Sequence, residues 1–178
     1  MDVFVRKLQA SDNTDAFDCG DAALNDYFHR YAKKNQGQLY GVTYVCICPP
    51  THVIGFYTIA NTTIPRAGIP DDLLKGLPKY QDIPAILLGR LAVHRTAQGK
   101  KIGELLISHC FDICLHMTKI CGARYIITDA YEGKTPFYEK YGFRPIVGNA
   151  HVGHIKMFLD LTVVRAAYNQ RRNEAIAN

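Results

Sequence analysis

Two adjacent segments constrain this chain most: Leu87-Leu88-Gly89-Arg90-Leu91-Ala92-Val93, and then Gln98-Gly99-Lys100-Lys101-Ile102-Gly103. The first is short and apolar, which predicts a buried strand. The second opens an amphipathic helix over residues 100–121, where Ile102, Leu105, Leu106, His109, Ile113, Met117 and Ile120 keep helical spacing. A strand that runs through a glycine-bracketed turn into a helix makes an anion site. The first N–H groups of the helix have no internal partner, and the dipole adds positive charge there. Gly99 and Gly103 let a bulky phosphate approach the backbone, while Lys100 and Lys101 add mobile charge. A diphosphate-bearing ligand is the expected occupant, although many ordinary helices also begin with glycine and lysine. The turn lacks the Gly-Lys-Ser/Thr ending of a nucleoside-triphosphate loop. No G-x-G-x-x-G follows an N-terminal strand, which disfavours a dinucleotide fold.

At 178 residues and 48% hydrophobic, the chain suits one globular domain with a sizeable core. Its net charge of +5 and pI near 8.9 favour polyanionic partners. Cations gather at Arg30, Lys33 and Lys34, at Lys100 and Lys101, and at Arg165, Arg171 and Arg172; each cluster also reads as a solvated face. The charged N-terminal segment lacks the apolar core of a signal peptide, and no apolar run reaches membrane-spanning length. A cytoplasmic protein without a membrane partner is expected. Six cysteines include no C-x-x-C pair. They read as buried free thiols acting as small hydrophobes, and no metal is expected, Cys110, Cys114, His109 and His116 notwithstanding.

Patterning predicts strands over residues 3–8, 40–48, 53–60, 85–94, 124–129, 143–147 and 152–161. Helices are expected over 22–34, 100–121 and from about 134, with a C-terminal helix or tail over 163–177. Residues 64–83 form an excursion with little regular structure, in which Asp71 and Asp72 can cap a short helix. The order β-α-β-β-β-α-β-α-β-β implies a three-layer α/β sandwich around a mixed sheet.

At this point the chain resembles the GNAT acetyltransferase superfamily. Gln98–Gly103 matches the segment with which that family binds the diphosphate of acetyl-coenzyme A, and Pro136-Phe137-Tyr138-Glu139-Lys140-Tyr141-Gly142-Phe143 looks like its closing motif. A narrower resemblance covers nearly the whole chain. Phe17-Asp18-Cys19-Gly20, Ala23 to Tyr27, Lys34-Asn35-Gln36, Val53 to Thr58 and Ile83 to Val93 are similar to the acetyltransferase-fold toxins of bacterial type II toxin–antitoxin pairs. The resemblance implies a GNAT fold over residues 1–162, with a mixed, mainly antiparallel sheet flanked by helices, followed by a C-terminal helix or tail over 163–178. It also implies acetylation of the amino group of aminoacyl-tRNA, a ribbon-helix-helix antitoxin and a homodimer. Lys101 stands where the family usually has glycine; positive φ there would strain lysine, whereas a first helical turn would not.

Acetyl transfer from a thioester needs a neutral amine, stabilisation of the charge that develops on the carbonyl oxygen, and a proton for the departing thiolate. Tyr138 occupies the family position of that acid, although on its own it also reads as a packing aromatic. The resemblance assigns cofactor binding to Leu91, Ala92 and Val93, whose strand backbone can supply an oxyanion donor and pair with pantetheine amides, and to Gln98, Gly99, Lys100, Lys101, Ile102, Gly103 and Glu104. Lys33, Lys34 and Arg90 are the candidate tRNA contacts, with solvated or paired charges as the plainer reading. His94, Glu139 and Asp129 are weaker candidates for a base. Two rival functions remain: acetylation of a small amine or a protein N-terminus, and a weakly active domain serving in a DNA-binding repressor complex.

Overall fold

The computed structural model describes residues 2–79, 82–151 and 153–177. Seven strands are β1 (Phe4–Lys7), β2 (Val42–Cys48), β3 (His52–Pro65), β4 (Asp82–Val93), β5 (Tyr125–Tyr131), β6 (Arg144–His151) and β7 (His154–Asp160). They join in one sheet in the order β1-β2-β3-β4-β5-β7-β6. Four neighbouring pairs, β1–β2, β2–β3, β5–β7 and β6–β7, run antiparallel. The pair β4–β5 is parallel, with Ala85–Leu87 against Tyr125–Ile127, because a long helix connects these strands. The expected mixed, mainly antiparallel α/β architecture is therefore observed.

The chain folds into two compact units that interleave in sequence: residues 1–60 with 88–112, and residues 61–87 with 113–178. In the first, the helix expected over 22–34 is three pieces, α1 (Ala22–Asp26), a π turn (Tyr27–Tyr31) and α2 (Ala32–Gly37). Asp21 caps α1 by accepting the Leu24 N–H at 2.9 Å. The π turn closes where the Ala32 N–H reaches back five residues to the Tyr27 carbonyl, and the adjacent Tyr27 and Phe28 are both buried. Phe28 stacks on Phe56 at 4.3 Å between ring centroids, and Phe17 meets both rings edge-on. Arg6 grips Asp12 through two bonds of 2.6 and 2.7 Å, and the Gln9 N–H adds a third.

The second unit packs Ile64, Ile69, Ile83, Tyr125, Ile127 and Phe158 into its own core. Between the end of β3 and the start of β4, the excursion holds among its described residues a 3-10 turn (Arg66–Gly68) and α3 (Asp71–Leu74). Asp71 and Asp72 do not cap α3; Pro70 precedes it and both carboxylates lie in the first turn, where they complement the dipole. Strand β3 also runs five residues beyond the expected end at Ala60, since Thr62, Thr63 and Ile64 favour extended backbone. Asp160 caps α6 (Leu161–Ala177) by accepting from the N–H and hydroxyl of Thr162, which starts that helix two residues earlier than expected. Val152, placed by patterning at the start of a closing strand, lies outside the described residues.

Helix α4 (Ile102–Met117) is shorter at both ends than its apolar spacing suggests. The N–H groups of Ile120 and Cys121 return to the Met117 carbonyl, and Ile120 is 75% exposed rather than part of the helical face. Within the first unit, α4 presses onto β3 at Gly55. A Cβ there would stand 2.9 Å from Leu106 Cδ1, 3.2 Å from Ile102 Cγ2 and 3.2 Å from the Ala92 carbonyl oxygen. Gly55→Ala is expected to cost about 1–3 kcal/mol, read by urea unfolding; an unchanged midpoint would show that the helix has room to withdraw.

The Arg6 hydrogen bonds hold the Asp12 carboxyl below its ordinary range. Its contribution to stability is therefore present above the unfolded-state value of about 3.9 and lost as pH falls through the lower folded value. Asp12→Asn should flatten the acid limb of the stability–pH curve, measured by urea titration at successive pH values.

Candidate active site

Strand β4 delivers the chain to the phosphate-type turn. The His94 N–H donates to the Ile54 carbonyl at 2.9 Å, and the ring of His94 then caps a 3-10 turn (Arg95–Ala97) by accepting from the Thr96 N–H. Ala97 and Ile102 are buried on either side of residues 98–101, which pins the turn at both ends. The Gln98 side chain ties it further, donating from Nε2 to the carbonyls of Cys19 at 2.9 Å and Val93 at 3.0 Å. His94 and Gln98 thus fix the shape of the loop through their side chains.

Gly99 and Lys101 both adopt left-handed backbone, with φ of +75° and +62°. Lys101 is therefore not in the first helical turn: the helix expected from residue 100 begins at Ile102, with the Leu105 N–H donating to the Lys101 carbonyl at 3.1 Å. Left-handed backbone costs lysine about 1–2 kcal/mol. In exchange the chain turns sharply into α4, whose first N–H groups have no partner within the helix, directly after two exposed lysines, Lys100 and Lys101. Gly103 and Glu104 follow in that first turn. The donor set is cationic and rich in backbone N–H, and it fits a diphosphate. Leu91, Ala92 and Val93 end β4 directly before this turn.

The proposed tRNA contacts differ in their surroundings. Arg90 is exposed on β4 and lies with its guanidinium carbon 3.6 Å from the centroid of the Tyr27 ring. Lys34 is exposed on α2. Lys33, although exposed, places Nζ 2.9 Å from the Ala10 carbonyl and 2.6 Å from that of Asp12, so two of its three donors anchor the loop that Arg6 also holds. Patterning did not single out Tyr27 beneath Arg90 or the contact at Gly55; both depend on distances between residues far apart in sequence.

Tyr138 belongs to the second unit. It sits in α5 (Thr135–Glu139), a single turn opened by Pro136. Its carbonyl accepts N–H groups from Tyr141 at 2.9 Å and Phe143 at 3.2 Å, and Gly142 closes the bend with φ of +86°. Edge-on contacts with Phe137 at 5.2 Å and Phe143 at 5.5 Å fix the ring, which is 8% exposed. Of the weaker candidates for a base, Glu139 is exposed and Asp129 pairs with Lys156 at 2.8 Å. Among the described residues no group of three or more metal-ligating side chains occurs, and no helix is long and apolar enough to cross a membrane. Cys46, Cys110 and Cys114 are buried, and burial pushes the Cys46 thiol up to about 11.

Comparison with known proteins places these features in context. The family described as "Acetyltransferase (GNAT) domain" matches residues 41–145. The tRNA-acetylating toxin of Mycobacterium tuberculosis is 30% identical over 139 residues, which cover 78% of this chain and 82% of that protein. The structure of AtaT complexed with acetyl-methionyl-tRNAfMet superposes with a TM-score of 0.85 at 26% identity, over 94% of this chain and 99% of that one. AtaTR bound with AcCoA gives a TM-score of 0.80 at 26% identity, over 94% and 98%.

If the left-handed turn at Lys101 is strained, Lys101→Gly should raise the unfolding free energy by roughly 0.5–1 kcal/mol, the strain relieved exceeding the entropy of the added glycine. A lower urea midpoint would instead show that the lysine side chain stabilises the fold.

Proposed function

Because the chain belongs to the GNAT acetyltransferase family, we propose that it moves the acetyl group of acetyl-coenzyme A onto the amino group of an aminoacyl-tRNA and so blocks translation. The observation that carries this reading is kinship to a tRNA-acetylating toxin over four-fifths of that protein's length, joined to the left-handed turn that opens α4. The chain is an acetyl-coenzyme A-dependent N-acetyltransferase, and residues 1–162 are assigned to the acetyltransferase domain.

The diphosphate is assigned to the backbone of Gln98 to Glu104, with Lys100 and Lys101 neutralising charge and the dipole of α4 adding to them. The donor supplies an activated thioester. The backbone of Leu91, Ala92 and Val93 pairs with the amide-bearing arm and offers an N–H toward the carbonyl oxygen as it gains negative charge. Tyr138 Oη holds the proton that the departing sulfur takes up. A phenol near pKa 10 gives that proton to a thiolate near 8.5 at small cost. The amine of an aminoacyl ester is largely neutral near physiological pH, so no dedicated base is assigned; as the C–N bond forms and the C–S bond breaks, the proton shed by the nitrogen passes to solvent, from which the Tyr138 phenolate is reprotonated. Lys34 and Arg90, with Lys33 beside them, are the cationic contacts for the tRNA backbone; a homodimer, a cytoplasmic location and neutralisation by a ribbon-helix-helix antitoxin complete the reading.

Incubation of charged total tRNA with labelled acetyl-coenzyme A should place label on the aminoacyl group, and KM should rise steeply with salt as phosphate contacts are screened. Label on polyamines or peptide N-termini, with charged tRNA untouched, would replace this substrate by a small amine or protein and leave the acetyltransferase intact. Tyr138→Phe should lower kcat by about a hundredfold while calorimetry finds acetyl-coenzyme A affinity unchanged; equal turnover would reduce Tyr138 to a packing residue.

A further inference from the structure

Arg90 is exposed, yet it is held. Its guanidinium lies over the face of Tyr27 at 3.6 Å from the centroid, and among the described residues it makes no hydrogen bond or ion pair. A guanidinium stacked in this way has its rim of N–H donors clear of the ring, in the fork geometry that matches a phosphate. The platform is rigid. Tyr27 is 8% exposed, stacks on Phe56 at 6.4 Å with 24° between ring planes, and is turned inward beside Phe28 by the π turn. No acidic residue occurs from Tyr27 to Pro70, so this stretch sets no carboxylate against a bound anion.

We propose that Tyr27 is a positioning residue that holds Arg90 as a preformed phosphate clasp. A free arginine on the surface loses rotamer freedom when it grips a phosphate; one already stacked has lost much of it beforehand. The inference rests on the assignment of a polyanionic substrate. The tRNA backbone and the phosphates of coenzyme A share the chemistry the clasp reads, and the two substrates are titrated separately to distinguish them.

The experiment measures KM for charged tRNA and for acetyl-coenzyme A across five variants. Arg90→Ala and Tyr27→Leu should each raise one KM about tenfold, and the double variant should raise it no further, because Tyr27 acts through Arg90. Tyr27→Phe keeps the aromatic face and should restore the wild-type KM. Arg90→Lys keeps the charge without the planar fork; it leaves the core intact and should behave like Arg90→Ala. A rise confined to charged tRNA names the tRNA backbone as the source of the phosphate, and one confined to acetyl-coenzyme A names the donor. Two results overturn the clasp: unchanged KM values in Arg90→Ala and Arg90→Lys, or the same rise from Tyr27→Leu whether or not Arg90 is present. Failure of the wild type to acetylate charged tRNA is a separate result, against the substrate assignment alone.

Discussion

The close approach of α4 to β3 at Gly55 is the constraint on which the candidate site depends. A helix whose Leu106 and Ile102 side chains fill the space that a Cβ at Gly55 would take is seated closely on the sheet, and a shift along it would open a void there. The N-terminus of α4 is therefore held at one depth beside the end of β4. The chain must reach that point from Val93 in eight residues, and it does so with a capped 3-10 turn followed by two left-handed residues. Gln98 and His94 hold the connection through hydrogen bonds, and His94 also meets the ring of Phe17 edge-on. Packing and the geometry of the candidate site thus have one origin.

Much of this was legible because local chemistry and tertiary structure agree in these elements. The β4–turn–α4 unit, the hairpin of β2 and β3, and the short helix at Pro136 each carry their own signals of periodicity, glycine or proline. Helix ends were less legible. Apolar spacing reports which residues face a core, whereas a helix stops where its hydrogen-bond ladder stops; Ile120 keeps the phase of α4 but lies beyond the last turn. The interruption of the first helix by a π turn left no signature either, because an added residue shifts the apolar phase by an amount that a short segment hides. Lys101 is the open case: one residue type fits a helical turn and a strained left-handed turn, and only the φ it adopts in the fold decides between them.

Charged residues show a sharper limit. Lys33 and Lys34 are neighbours of the same type on the same helix, yet one anchors a loop through the carbonyls of Ala10 and Asp12 and the other extends into solvent. What separates them is the position of a loop more than twenty residues away. Arg90 likewise has an aromatic partner, not a carboxylate, and nothing in the local sequence distinguishes these outcomes. Tyr138 was found by its motif; its burial and edge-on packing are equally those of an ordinary core aromatic.

The interleaving of the two units has a consequence for how the chain is made. The first unit needs residues 88–112 to complete its core, and the second needs residues 61–87 together with everything after 113. The first unit cannot close until residue 112 has been made, and by then residues 61–87 of the second have emerged without their partners from 113 onward, so no contiguous N-terminal block folds ahead of the rest. Contacts between segments far apart in sequence also slow the search for the native state. Until then Phe28, Phe56 and their neighbours await the strand that brings Ala92 to their cluster. During that interval its apolar surface is open to chaperones and proteases, and the amount of folded enzyme is set by the race between covering that surface and losing the chain.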